Sequence, residues 1–249
     1  MKISIITLFP EMLKPFFDDS IIRRAKEKGV VEIELINLRD FALDEHGTVD
    51  DRPYGGGAGM VLMVEPIMKA MKYVIPSKEG IQEKSGSRIG VRDDRRVILA
   101  SAKGKPYSQK KAQELSKNDH LVIIAGHYEG VDERVRRHLV DEEISVGDFV
   151  TMGGEAPALS LIECVVRLVP GVLGNPDSIK EESFSDSQNG RGNRLEFPQY
   201  TRPRVFRGWA VPKILLSGDH GAIREWREKK STEVTRRKRP DLFRTEKKG

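Results

Sequence analysis

The chain has 249 residues, 38% hydrophobic and 33% charged, which is enough apolar material for a buried core and too polar for a membrane protein. The longest apolar stretches, such as Leu121 to Ala125, fall far short of the roughly 20 residues a membrane span needs, and the single Cys164 excludes intrachain disulfides and cysteine-based metal sites. The net charge of +5 is uneven: residues 198 to 249 hold 15 Lys and Arg against 6 Asp and Glu, leaving 28 against 32 in residues 1 to 197, so the last fifth is the part suited to a polyanion.

Lys2 followed by the apolar run Ile3 to Phe9 mimics the start of a signal peptide. The alternation of Ile3, Ile5 and Thr7 is strand-like, however, and Pro10-Glu11 ends the run without a small-residue cleavage site, so a strand in a cytoplasmic protein is expected. A helix around Ser20 to Lys28 and a strand from Val31 to Asn37 complete a βαβ rhythm. After a glycine-rich loop and a helix from Glu65 to Tyr73, the polar stretch Pro76 to Arg95 reads as an inserted surface excursion. The rhythm resumes with a strand from Val97 to Ala100, a helix from Ser108 to Lys117, a strand from Leu121 to Ala125, a short helix near Val131 to His138 and a strand from Glu143 to Val146. Alternation of this kind predicts a parallel sheet.

Gly154-Glu155-Ala156-Pro157 opens a helix from Ala158 to Leu168, with proline where its missing N–H costs least, and Pro170-Gly171 stops it. Val172 to Phe197 is rich in Gly, Asn and Ser and reads as a mobile linker. Beyond Pro198 come a turn-rich entry, an apolar strip from Val211 to Leu216, a helix capped by Asp219 and a second, basic helix around Ser231 to Arg239. Tyr200, Phe206, Trp209 and Trp226 add aromatic faces for bases to the positive charge of this segment.

The usual phosphate loops are missing. The only Gly-Lys step, Gly104-Lys105, runs into Pro106, and Gly55 to Met60 fails the dinucleotide pattern. The five histidines stand at no metal-ligand spacing, and no serine has a nucleophile-elbow context. Four glycine-bearing loops are present instead: Arg52 to Met60, Gly126 to Arg134, Ser145 to Phe149 and Gly153 to Glu155. At least two follow strand carboxyl ends, where open α/β sheets bind ligands, and together they favour a pocket built mainly of backbone, suited to an adenine.

The strings Leu8-Phe9-Pro10-Glu11-Met12, Thr48-Val49-Asp50-Asp51-Arg52-Pro53-Tyr54-Gly55-Gly56-Gly57, Gly126-His127-Tyr128-Glu129-Gly130-Val131-Asp132-Glu133-Arg134, Val169-Pro170-Gly171-Val172-Leu173-Gly174 and Tyr200-Thr201-Arg202-Pro203 occur in that order. From end to end the chain resembles the bacterial tRNA (guanine-N1)-methyltransferase family. The resemblance implies a homodimeric SPOUT-class α/β enzyme, a parallel sheet with a deep trefoil knot plus a small, mainly helical C-terminal domain. Generic topology rules would reject such a knot. The implied organisation is a knotted S-adenosylmethionine-binding domain over residues 1–173, a flexible linker over 174–197 and a basic tRNA-binding domain over 198–249. The implied reaction moves a methyl group from S-adenosylmethionine to N1 of the guanine 3′ of the anticodon, position 37, when guanine precedes it at position 36.

By the same resemblance, Arg167 and a carboxylate before Ser183-Phe184 are catalytic. The family has Asp there; this chain has Glu182, one methylene longer, in a linker longer than the usual pattern. Asp177 and Asp186 are the nearest aspartates. The cofactor positions implied are Gly59, Leu99, Ala100, Ser101, Gly126, Tyr128, Glu129, Ser145, Val146, Gly147, Phe149, Gly153 and Gly154. Glu129 is suited to neutralise the cationic methionine end, directly or through the Mg2+ with which family members are associated. Asp50, Arg52, Ser183 and Arg202 are implied tRNA contacts. In the implied dimer, the linker and C-terminal domain of one subunit complete the site of the other. The alternatives are another knotted RNA methyltransferase acting on ribose or a different base, an RNA-binding homologue that has lost the base, and a nucleotide-binding α/β enzyme unrelated to RNA.

Overall fold

The computed structural model describes residues 1–75, 95–179, 181–185 and 194–243. The surface excursion expected from Pro76, all but Arg95, and Asp186 lie outside the described residues. The chain divides into two compact units, Met1–Gly174 and Asn175–Gly249.

The first unit is built on five strands, β1 (Lys2–Thr7), β2 (Glu32–Asn37), β5 (Arg95–Pro106), β6 (His120–Ala125) and β7 (Glu142–Ser145). They form one sheet in the order β2-β1-β6-β5-β7, parallel throughout. The period-two alternation sorts their side chains to two faces. Ile3, Ile5, Ile98, Ala100, Leu121 and Ile123 pack against α1 (Pro10–Phe17), α2 (Ser20–Glu27), α4 (Gln109–Leu115) and α6 (Glu155–Val166). Ile6, Val97, Leu99, Val122 and Ile124 pack against α3 (Val64–Val74) and α5 (Glu133–His138). The result is the three-layer arrangement that buries a parallel sheet on both sides. A short antiparallel pair, β3 (Asp50–Asp51) and β4 (Val61–Leu62), carries the glycine-rich loop between its strands.

In this unit helix α1 and strand β5 depart from the sequence reading. Helix α1, absent from it, starts with Pro10 at its first turn and contains Pro15, and it is held by burial of Leu13 and Phe17 rather than by propensity. Strand β5 runs well past Ala100. Its register with β7 stops at Ala100 and restarts at Lys105, both opposite Ile144. Gly104 permits this, because a Cβ there would lie 2.5 Å from the Ile144 backbone.

In the second unit the two helices expected after Gly218 are one, α7 (His220–Lys238), 19 residues long. Asp219 caps it, accepting from the N–H groups of Gly221 and Ala222 at 3.0 Å. The helix is polar on nearly every face, so it has no apolar stripe to reveal its continuity. Thr232 and Thr235 donate their hydroxyls to the Glu228 and Ser231 carbonyls within the helix. A small hairpin, β8 (Val205–Phe206) and β9 (Trp209–Ala210), precedes it. No described helix is long and apolar enough to cross a membrane.

Candidate active site

The carboxyl ends of β5, β6 and β7 lie side by side, with Ala100 opposite both Ala125 and Ile144. Leu99 and Ala100 are buried and Ser101 follows at the edge. Beyond β6 the chain turns at Gly126, and Gly154, the residue before α6, donates its N–H to the Gly126 carbonyl at 2.6 Å. This approach requires glycine: a Cβ on Gly154 would fall 2.6 Å from Gly126 N and 2.8 Å from Ala125 Cα. Next to it Gly153 pairs with His127 in an isolated bridge. At the end of β7, buried Ser145 donates its hydroxyl to the Gly147 carbonyl at 2.9 Å and accepts from the Gly147 N–H at 3.2 Å. Val146 is half-buried between them, and the exposed Phe149 ring lies where a side chain on Gly147 would project.

The loop between β3 and β4 docks onto the Gly126 loop through backbone bonds. Glu129 N–H reaches the Met60 carbonyl, Leu62 N–H the Gly130 carbonyl and Asp132 N–H the Leu62 carbonyl, all at 2.9–3.0 Å. Tyr128 is held at φ 57°, with its ring exposed. Gly59, at φ 83°, faces the Glu129 side chain so closely that a Cβ would sit 2.5 Å from its Oε1. Asp50 and Arg52 flank this loop, the first half-buried in β3, the second exposed just after it. Asp132 caps α5 and accepts Nε and Nη2 of Arg134 at 2.9 and 2.7 Å, which holds its carboxyl below the usual range.

Beneath these loops lies a polar cluster the sequence reading missed. Thr7 donates to Glu155 Oε1 at 2.8 Å and accepts from the Phe9 N–H at 3.0 Å. Glu155 is 3% exposed in the first turn of α6, where the helix dipole favours a carboxylate. Its Oε2 lies 3.8 Å from His127 Nδ1, which is buried without a hydrogen-bond partner. The His127 ring is held edge-on by Phe9 and Tyr128.

The catalytic positions implied by resemblance are carried by other elements. Arg167 caps the carboxyl end of α6, half-buried, at the opposite end from Gly154. In the second unit Glu182 is half-buried, and its carbonyl accepts from the Ser185 N–H and hydroxyl. Ser183 accepts from the Glu196 N–H at 2.9 Å, and the Phe184 N–H reaches the Arg194 carbonyl at 2.8 Å. Leu195 is tied to α7 at both backbone groups, through Thr235 and Ser231. The described part of the segment read as a linker is therefore bonded within its unit, through backbone groups and serine and threonine hydroxyls, with Phe197 buried at its end. Arg202 is exposed.

The family model described as tRNA (guanine-1)-methyltransferase TrmD matches residues 1–245. A tRNA (guanine-N(1)-)-methyltransferase of Dictyoglomus turgidum is 51% identical over 243 residues, covering 98% of this chain and 90% of the relative. One from Staphylococcus aureus is 49% identical over 243 residues, covering 98% and 91%. The chain belongs to the bacterial TrmD family. For this TrmD-family chain, the structure brings together the glycine loops, the strand ends and Glu129 in one unit. It also adds Thr7, His127 and Glu155, of which two stand inside quoted motifs and could have been flagged as polar residues among glycines. Among the described residues no group of three His, Cys, Asp or Glu side chains is placed to hold a metal ion.

Proposed function

We propose that this chain methylates N1 of the guanine at tRNA position 37, in tRNAs with guanine at position 36, as a cytoplasmic homodimer of knotted subunits. Family membership supports the methyl transfer. What carries the reading to particular residues is the bare backbone at Gly126, Gly147, Gly153 and Gly154, gathered at the carboxyl edge of a parallel sheet. The carboxyl edge of a parallel sheet is where a flat ligand such as an adenine binds, with Leu99, Ala100, Ser101, Ser145 and Val146 beneath it and Tyr128 and Phe149 alongside. Glu129, admitted by the missing side chain of Gly59, meets the cationic methionine end. These positions fit S-adenosylmethionine, which supplies an electrophilic methyl group when bound.

Guanine N1 carries a proton at neutral pH. Glu182 removes it, and the Arg167 guanidinium stabilises the negative charge that spreads to O6. Arg167 stands the length of the 12-residue α6 from Gly154, about 18 Å along the axis, farther than its own side chain reaches. That separation supports a composite site, in which the second subunit supplies Arg167 and Glu182 to the cofactor loops of the first. The knot belongs to the same proposal, supported by a strand order that sets β5 between β6 and β7. In this organisation residues 1–173 hold the cofactor, 174–197 carry the base, and 198–249 hold tRNA, with Asp50, Arg52, Ser183 and Arg202 as further contacts.

The test uses two transcripts of one tRNA that differ only at position 36, with methylation mapped by reverse-transcription stops. A stop at position 37 only with guanine at 36 is expected; a ribose methyl or no product defeats the reading. Glu182→Gln is expected to lower kcat by about 10²–10⁴-fold, the usual worth of a general base, while Glu182→Asp retains most activity. Near wild-type turnover by Glu182→Gln removes Glu182 from the role.

A further inference from the structure

The second unit contains a cavity of about 410 Å³ between the segment Phe197–Tyr200, Leu215 and the start of α7, lined wholly by residues 181–227. This volume is within the ~300–1,000 Å³ typical of small-molecule sites. One wall is aromatic: the Tyr200 and Trp226 rings stand with centroids 6.4 Å apart at 56°. The Arg227 guanidinium lies over the buried Phe197 ring, Cζ 4.7 Å from the centroid. Its Nε is buried with no hydrogen-bond partner, and its Nη1 is ion-paired with Glu181 Oε2 at 3.6 Å. Arg224 adds an exposed positive charge at the rim.

These groups have a consistent chemistry. A planar guanidinium and a carboxylate beside two aromatic faces suit a flat ring whose edge both accepts and donates hydrogen bonds. A purine base meets that description, and guanine most fully, since it offers O6 and N7 as acceptors to arginine and N–H donors to a carboxylate. One of the Tyr200 and Trp226 faces stacks on the ring while the other meets its edge, and Arg224 meets its phosphate.

We infer that this cavity captures one unstacked purine base of the bound tRNA, other than the guanine that is methylated. The target guanine has to meet the cofactor loops, and none of those residues lines the cavity. The inference rests on the tRNA reading above and adds to it a second point of base recognition.

The experiment follows Trp226 fluorescence in a full-length Trp209→Phe protein titrated with a tRNA transcript that the wild type methylates. Quenching that saturates with tRNA binding is expected, with GMP quenching at lower concentration than CMP. Trp226→Ala and Tyr200→Leu are expected to raise KM for tRNA about 5- to 100-fold, the usual worth of one stacked base, with kcat and S-adenosylmethionine affinity within twofold of wild type. Arg227→Lys, which keeps the charge but not the planar fork, is expected to raise KM and abolish the preference for GMP over CMP. Unchanged Trp226 emission on tRNA binding, or Tyr200→Leu with unaltered KM, overturns the inference while methylation by the wild type leaves the tRNA reading standing. A wild type that binds no tRNA overturns both.

Discussion

Gly154 has a backbone where other residues have room for side chains. Its N–H lies 2.6 Å from the Gly126 carbonyl, and an added methyl would meet main-chain atoms of Ala125 and Gly126 that have no rotamer to yield. Forcing a methyl into packed surroundings costs about 1–3 kcal/mol, which in a chain of this size lowers Tm by about 2–4 °C per kcal/mol. Gly154→Ala is therefore expected to unfold several degrees earlier and to bind S-adenosylmethionine at least tenfold more weakly, by calorimetry. Gly174→Ala is the control, because nothing lies within 4 Å of its added Cβ and surface changes usually stay within about 0.5 kcal/mol. Equal behaviour of the two variants would remove the close-approach argument. Glycine at 153 and 154 was legible as a loop signal, but the partner it touches was not. Nor was the cluster of Thr7 with Glu155, separated by 148 residues, because spacing along a chain carries no record of which strand end meets which helix start.

The central strands show why some elements were legible and others not. Strands β1 and β6 carry runs of β-branched residues whose faces alternate, and the periodicity located both within a residue or two. Short pairs such as β3 with β4 and β8 with β9 have two residues per strand and no period to detect. The opposite end of the sheet makes its own prediction. Lys2, His120 and Arg95 sit in register across β1, β6 and β5, with Glu32 and Glu34 reaching Lys2 from β2. Burial, with Lys2 and Arg95 adding repulsion, holds the His120 imidazole below its ordinary value of 6.5 despite Glu34 and Glu32, and its Nε2 lies 3.0 Å from Ser4 Oγ. The unfolded chain thus takes up a proton near pH 6.5 that the folded chain refuses until lower pH. Stability is held above that pH and lost as pH falls below it. Thermal unfolding is expected to show a larger fall in Tm from pH 7.5 to 5.5 for wild type than for His120→Gln; parallel pH curves would exclude His120 as the cause. Glu133 does not confuse the measurement: Arg136 and Arg137 hold it at about 2, far below this window.

At the scale of the molecule, charge is distributed unevenly between the two ends of the chain. Residues 198 to 249 carry 15 basic against 6 acidic side chains, while residues 1 to 197 carry 28 against 32. Helix α7 concentrates this charge, ending in Arg236, Arg237 and Lys238, all exposed. A protein that neutralises Z phosphates releases their counterions, so log K falls with log salt at a slope of about 0.9Z on duplex RNA or DNA and about 0.7Z on single strands. S-adenosylmethionine, held through backbone groups in the proposed site, releases almost none. Filter binding between 50 and 200 mM salt is therefore expected to weaken tRNA binding by orders of magnitude and leave cofactor affinity nearly level. Arg237→Gln with Lys238→Gln is expected to shallow the tRNA slope by about 2, one for each phosphate contact removed. Lys2→Gln, whose ammonium is engaged by Glu32 and Glu34 in the acidic part of the chain, is expected to leave it unchanged. Equal slopes for the double variant and the wild type would mean that α7 does not face the phosphates. Equal loss from Lys2→Gln would mean that the effect reports total charge rather than the placement of charge on the C-terminal unit.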